Sequence, residues 1–307
     1  MASTNTLRQA LQWVTLAGYL LSCHASLAAE AKPPSTLTVA AVQMRSSRDL
    51  SNNVAQIKGF IREAASKGAR VVVFPECAST GYFEDVITNV TATKLAEAEL
   101  AVADACREAG VYVVLGTPYR EGEKLFNSAV VINPSGRVVG RYHKIQLAEG
   151  WPEAGEEMIL FKVDDIPCSI IICHDERYPE LVRLPVLAGA KVICYISHES
   201  GLDEERKINP YRAQIQARAV ENTVFVVHAN APANPDKSGS HGHSRIVAPD
   251  GNILKESSVF DEEIITSTLN VNRASRDNAR KSLTRGPLRD WWREGLKRVK
   301  IVDEDTR

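Results

Sequence analysis

From residue 37 onward the chain repeats one pattern: a short apolar run, a helical stretch, often a glycine, then another apolar run. Residues 37–43 (LTVAAVQ) read as a buried strand. Residues 54–65 put Ile57, Phe60, Ile61 and Ala64 on one side at helical spacing. Gly68 stops that helix, and residues 70–75 (RVVVFP) form a second buried strand. An Ala-rich helix over 94–108 ends at Gly110, followed by a strand over 111–115. In the middle, strands over 126–132 and 138–142 flank Asn133-Pro134-Ser135-Gly136, a strong hairpin turn, and 248–252 is a second such turn. Apolar strands at 169–173, 192–196 and 223–228, with helices over 179–187 and 210–220, resume the alternation. Strands this apolar are buried on both faces, so the pattern predicts α/β sheets covered by layers of helix.

There is no internal linker, low-complexity tract or solenoid-length repeat, which predicts one domain over residues 29–275. Residues 276–307, rich in Arg and Trp, read as an extension of it. The first 28 residues have another character. Arg8 gives a short positive region, residues 11–21 are mostly apolar, and Ser26 and Ala28 fit cleavage before Ala29. This predicts an exported protein, periplasmic or extracellular. Leu20-Leu21-Ser22-Cys23 also resembles the lipobox of bacterial lipoproteins, in which lipidation at Cys23 would anchor the mature chain. No later segment is long and apolar enough to span a membrane. With 37 basic against 38 acidic residues, the chain lacks the basic field by which nucleic-acid binders neutralise phosphates. Cys106, Cys168 and Cys194 lie in helical or strand-like runs and read as buried free thiols. No CxxC pair offers a cysteine zinc site.

Three residues carry chemistry, each with a bland reading beside it. Cys173 ends the apolar strand Ser169-Ile170-Ile171-Ile172 and precedes a polar stretch. A strand-to-helix elbow there exposes the thiol and converges backbone N–H groups on a developing oxyanion. The alternative is a core cysteine. Glu76 follows Val71-Val72-Val73-Phe74-Pro75, at the strand edge where α/β sheets build sites, and partial desolvation there raises a carboxyl towards a useful base. Taken alone it is a turn glutamate. Lys144, in Arg141-Tyr142-His143-Lys144-Ile145, can aim a fixed charge at a carbonyl oxygen and favour a thiolate; taken alone it is a surface lysine. Their shared placement at strand ends makes the case.

Phe74-Pro75-Glu76, His143-Lys144, and Ile172-Cys173 with Asp175, Tyr178, Pro179 and Glu180 resemble the nitrilase superfamily of carbon–nitrogen hydrolases. The resemblance runs from about Leu37 to Val271 and extends to Ala40-Ala41-Val42-Gln43-Met44, Asn127-Ser128-Ala129, Arg218-Ala219-Val220-Glu221-Asn222 and Gly242-His243-Ser244. It implies a four-layer α-β-β-α sandwich, no metal or cofactor, and a homodimer or larger homo-oligomer. It also implies roles. Cys173 attacks the carbonyl to form a thioester, and Glu76 carries the protons. Lys144 and the backbone N–H of His174 hold the oxyanion. Glu149, in Glu149-Gly150-Trp151, is the expected second glutamate, with Glu153 as runner-up.

The residues around the nucleophile narrow the substrate. True nitrilases of the superfamily typically place Trp-Glu after the cysteine, whereas His174-Asp175 stands here. The expected substrate is a small amide or N-carbamoyl compound. Nitrile hydrolysis and acyl transfer to an amine are the alternatives, and a non-catalytic binding protein fits least. His241-Gly242-His243 reads as a loop-to-strand transition rather than a metal pair. Trp291-Trp292 reads as packing of a C-terminal helix.

Overall fold

The computed structural model describes residues 35–202, 208–284, 286 and 288–302; the expected signal segment, with Cys23, lies outside them. Two sheets carry the fold. The first has six strands in the order β12-β1-β2-β3-β4-β5: β1 Thr36–Gln43, β2 Val71–Val73, β3 Tyr112–Glu121, β4 Lys124–Ile132, β5 Val138–His143 and β12 Glu263–Asn270. The second has seven, β11-β10-β9-β8-β7-β6-β13: β6 Met158–Val163, β7 Ile166–Ile172, β8 Val192–Ile196, β9 Phe225–Ala229, β10 Arg245–Val247, β11 Ile253–Glu256 and β13 Val299–Ile301. At the centre of each sheet three strands run parallel, β1-β2-β3 and β7-β8-β9. The hairpins β3-β4 and β4-β5 return the chain so that β5 points the same way as β2.

Three apolar clusters define the layers. One lies between the sheets and includes Val39, Val73, Val131, Tyr142, Phe161, Ile170, Cys194 and Val227. A second packs the outer face of the first sheet against helices Leu50–Ser66 and Ala92–Ala109, through Ile57, Ile61, Val102 and Cys106. The third packs the second sheet against helices Glu180–Ala188, Ile208–Val220 and Leu288–Leu296, through Val182, Ile215 and Trp292. The result is a helix–sheet–sheet–helix sandwich, as expected. The helices end where the sequence directs. Asp49 and Thr91 accept N-cap hydrogen bonds from Asn52 and Lys94, and Gly110 takes the left-handed C-cap at φ 67°.

Three features depart from the sequence reading. The strand expected over 70–75 is regular only over Val71–Val73, because Pro75 interrupts it. The strand after Gly110 runs on to Glu121 as half of a long hairpin. The C-terminal extension is woven into the second sheet: β13 pairs in parallel with β6, and helix Leu288–Leu296 buries Trp292 while Trp291 stays 55% exposed.

Candidate active site

Parallel strands bring their C-terminal ends to one edge of a sheet, and here the ends of β2 and β5 in the first sheet meet those of β7 and β8 in the second. Glu76 leaves β2 through Phe74, whose N–H still donates to Val114 O, and Pro75. The loop passes so close to β3 that a side chain on Gly116 would meet Pro75 O at 2.1 Å and the Glu76 Cα at 2.8 Å, which demands glycine there. Lys144 follows β5; its N–H donates to Asn127 O and its carbonyl accepts from Gly155 N, both at 2.8 Å. A Cβ at Gly155 would fall 2.3 Å from His143 O.

Lys144 is fully buried, and its ammonium is shared by two carboxylates: Glu76 Oε1 at 2.9 Å and Glu149 Oε1 at 2.5 Å. Glu76 is held at both oxygens. Asn127 Nδ2 donates to Oε1 at 2.7 Å, and the backbone N–H of His198 donates to Oε2 at 2.8 Å. The Tyr82 hydroxyl donates to Glu149 Oε1, and its ring stacks on the His198 imidazole at 4.7 Å. Glu149 is thus the glutamate that the structure brings to Lys144. Glu153 is exposed, its backbone bridged to β4 at Phe126 and its N–H donating to Leu125 O.

Cys173 opens a 3-10 turn, Cys173–Arg177, directly after β7, with φ at +43°. A non-glycine residue there costs on the order of 1–3 kcal/mol and persists only where its surroundings impose it. Asp175 imposes it. Its carboxylate accepts from Ile172 N at 3.0 Å, Gln146 N at 2.8 Å, Ile145 N at 3.2 Å and the Tyr142 hydroxyl at 2.7 Å. One side chain therefore pins the elbow to the loop that follows Lys144. Cys173 is half-buried as a residue, and its sulfur lies 4.0 Å from the His198 carbonyl. The His174 ring turns to the edge of Tyr178, leaving its backbone at the elbow.

The electrostatics sort the two glutamates. Burial pushes Glu76 above the ordinary carboxylate range, partly offset by Lys144. Burial acts on Glu149 in the same sense, but the Lys144 charge and the bonds from Lys144 and Tyr82 outweigh it and hold Glu149 low. Burial alone would lower Lys144, yet Glu76, Cys173 and Glu149 keep it protonated well above its usual value. The Cys173 thiol is pushed up by burial and by Glu76, so it rests protonated. A neutral thiol, a poised carboxylate and a fixed ammonium can transfer a proton in step with attack on a carbonyl.

Asn127, Tyr82, Asp175, Tyr142 and His198 join the site although the sequence reading gave them no role. Asn127 had a signal, being a lone amide in the apolar run of β4; Asp175 had another, lying inside the elbow motif. Tyr82 and His198 reach the site through tertiary packing alone. Elsewhere His241 faces Glu199 and His243 faces Glu256, different carboxylates, as a loop leading into β10. Among the described residues no cluster of three or more His, Cys, Asp or Glu is arranged to hold a metal. Cys77, Cys106, Cys168 and Cys194 are buried free thiols. A groove of about 720 Å³ along β3, β4 and β5 contains none of the four site residues, and His143 lines it.

Comparison with known proteins gives this geometry a family. The sequence profile of the carbon–nitrogen hydrolases matches residues 38–278, and the chain belongs to that family. A nitrilase from Pyrococcus abyssi is 34% identical over 223 residues, covering 69% of this chain and 81% of its own length. An omega-amidase from Homo sapiens is 26% identical over 250 residues, covering 76% of this chain and 89% of its own. Among solved structures, an amidase from Nesterenkonia AN1 superposes with a TM-score of 0.73 at 23% identity, over 81% of this chain and 95% of that one.

Proposed function

We propose that the protein hydrolyses the carbon–nitrogen bond of a small amide or N-carbamoyl compound through a thioester on Cys173. The observation that carries this reading is the buried Lys144 ammonium shared by Glu76 and Glu149 beside the strained Cys173 elbow. Glu76 takes the thiol proton as sulfur attacks the carbonyl carbon. The oxyanion forms against the Lys144 ammonium and the His174 backbone N–H, charge-assisted donors of the kind that stabilise such intermediates. Glu76 returns its proton to the leaving nitrogen, ammonia or an amine departs, and the thioester remains. Glu76 then takes a proton from water, whose oxygen attacks the thioester, and the acid leaves as the thiol is restored. Glu149, already paired with Lys144 and held low, fixes the ammonium.

Relatives support the class: an omega-amidase and a 2-oxoglutaramate amidase are among them. One Nesterenkonia amidase structure shows covalent addition of the acetamide moiety of fluoroacetamide at its active site cysteine. Nitrile hydrolysis is the second reading, favoured by the name of the Pyrococcus relative. Ammonia release from a panel of small amides, carbamoyl compounds and nitriles, with Cys173→Ala beside the wild type, decides. Amide turnover that disappears in the variant is expected, and turnover surviving in it sinks the mechanism. The N-terminal pattern supports export, and the homo-oligomer implied by the family resemblance belongs to the same proposal. Intact mass of the mature chain from cells and its sedimentation check both: cleavage before Ala29, or lipid on Cys23, and a mass above one chain are expected.

A further inference from the structure

Behind Cys173 lies a second buried polar cluster that the reaction steps do not use. At its centre is Glu199, 2% exposed, just past the end of β8. Its Oε1 accepts from the Tyr195 hydroxyl at 2.8 Å and lies 3.4 Å from His228 Nε2. Its Oε2 lies 2.8 Å from His241 Nε2 and 3.5 Å from Asn230 Nδ2. The neighbours of Glu199 are tied to the same groups. Its own N–H donates to Asn230 Oδ1 at 3.2 Å, His241 Nδ1 meets the Ser200 carbonyl at 2.7 Å, and Ser197 Oγ meets His228 Nε2 at 2.7 Å.

His198, in the middle of this anchored segment, turns the other way. Its N–H holds Glu76 Oε2 and its carbonyl faces the Cys173 sulfur. The cluster also reaches the elbow itself. The Tyr195 hydroxyl lies 2.8 Å from Glu176 Oε2, three residues past the nucleophile, and Arg218 Nε donates to the Glu176 carbonyl at 2.7 Å. One hydroxyl hydrogen cannot serve two ionised carboxylates. Burial and the charge of Glu199 push Glu176 up, so it carries the proton. Burial would raise Glu199 too, but His228 and His241 outweigh it and hold Glu199 low. The Tyr195 hydroxyl thus bridges Glu176 and Glu199, tying the turn after Cys173 to the segment that follows β8.

We propose that Glu199 is a positioning residue for the hydrolysis proposed above: by anchoring residues 197–200, it sets where the His198 backbone holds the Glu76 carboxylate relative to the Cys173 sulfur. The inference rests on that reading of the site. Misplacing a reacting group by about 1 Å can cost on the order of 10²-fold in rate. Charge gives a second readout. The titratable groups around Cys173 include Glu76 and Tyr82 after β2, Lys144 after β5, Glu176 in the turn, Tyr195 in β8 and Glu199 after it. Removing one negative charge from that set makes the thiolate easier to form.

The test measures kcat, KM and the pH dependence of Cys173 alkylation by iodoacetamide in the full chain. Variants are Glu199→Gln, Glu199→Ala and Cys173→Ala, with sites counted by stoichiometric alkylation. Glu199→Ala is expected to lose about 10²-fold in kcat per site with little change in KM, and Glu199→Gln to recover about tenfold of that loss. In both, the alkylation curve moves to lower pH, which a merely structural role would not produce. Unchanged kcat per site and an unchanged alkylation curve in Glu199→Gln overturn the inference, even where Glu199→Ala does not fold. Turnover surviving in Cys173→Ala would instead overturn the hydrolase reading, so the two failures are distinguishable.

Discussion

The two walls of the site are held in opposite ways. On the first-sheet wall, Glu76 has both oxygens occupied, Lys144 is enclosed between two carboxylates, and glycines at 116 and 155 let the backbones close tightly around them. On the second-sheet wall, Cys173 is fixed by its backbone: a left-handed φ and the bonds that Asp175 makes around it. Its side chain packs against the core between the sheets, and its sulfur makes one hydrogen bond among the described residues, to the His198 carbonyl at 4.0 Å. Groups that carry protons and fixed charge are locked by several bonds each, because catalysis of this kind depends on preorganised dipoles. The atom that must form a new covalent bond is aimed but left free.

This contrast can be broken at several points. The largest effect is expected at the free atom: Cys173→Ala should lose about 10⁴-fold or more in kcat, measured by ammonia release. Next comes Glu76→Gln, which keeps one acceptor oxygen for either Asn127 or His198 but removes the base, with a loss on the order of 10³-fold. Because burial raises Glu76, wild-type kcat/KM should fall as pH drops through a value above the ordinary 4.5, where the carboxylate protonates and cannot take the thiol proton. In Glu76→Gln that limb should vanish. Asp175→Asn leaves one oxygen for four donors and should cost on the order of 10²-fold, with a changed near-ultraviolet spectrum where the two walls come apart. Glu153→Gln should stay within about twofold while Glu149→Gln loses at least tenfold, since only Glu149 touches Lys144.

A stability effect sharpens the same comparison. His143 precedes the first wall's lysine and His198 lies on the second wall; burial holds both down at about 4, against 6.5 for free histidine. The unfolded chain therefore binds protons that the folded chain refuses. Stability from these groups is complete above pH 6.5 and is lost as pH falls towards 4, by about 3 kcal/mol at most for His198 and by less for the partly exposed His143, where water screens the charge. Thermal melts across that window should show Tm falling, and His143→Asn should flatten part of the fall.

Much of the fold was legible in the sequence because buried parallel strands and amphipathic helices write their periods plainly. The three strand-end residues were legible because strand ends can be counted from apolar runs. The sequence pattern did not reveal β6 or the edge strands β12 and β13. The two edge strands mix exposed and buried positions, and partners distant in sequence create them: β12 pairs with β1 and β13 with β6. The supporting residues were hidden for a related reason. Tyr82, His198 and Glu199 lie in segments without periodicity, and only the meeting of two sheets brings them to Lys144 and Cys173. The choice between Glu149 and Glu153 likewise depended on which side of a turn faces inward, which local sequence does not encode.

The most direct test of the central claim is to trap the covalent intermediate. The wild-type protein is mixed with a small amide, quenched in acid within the first turnovers, and its peptides are weighed by mass spectrometry. The expected result is the acyl mass on the peptide containing Cys173, appearing with the first equivalent of ammonia. Steady ammonia release with that peptide unmodified, or an acyl mass on a different residue, would contradict it.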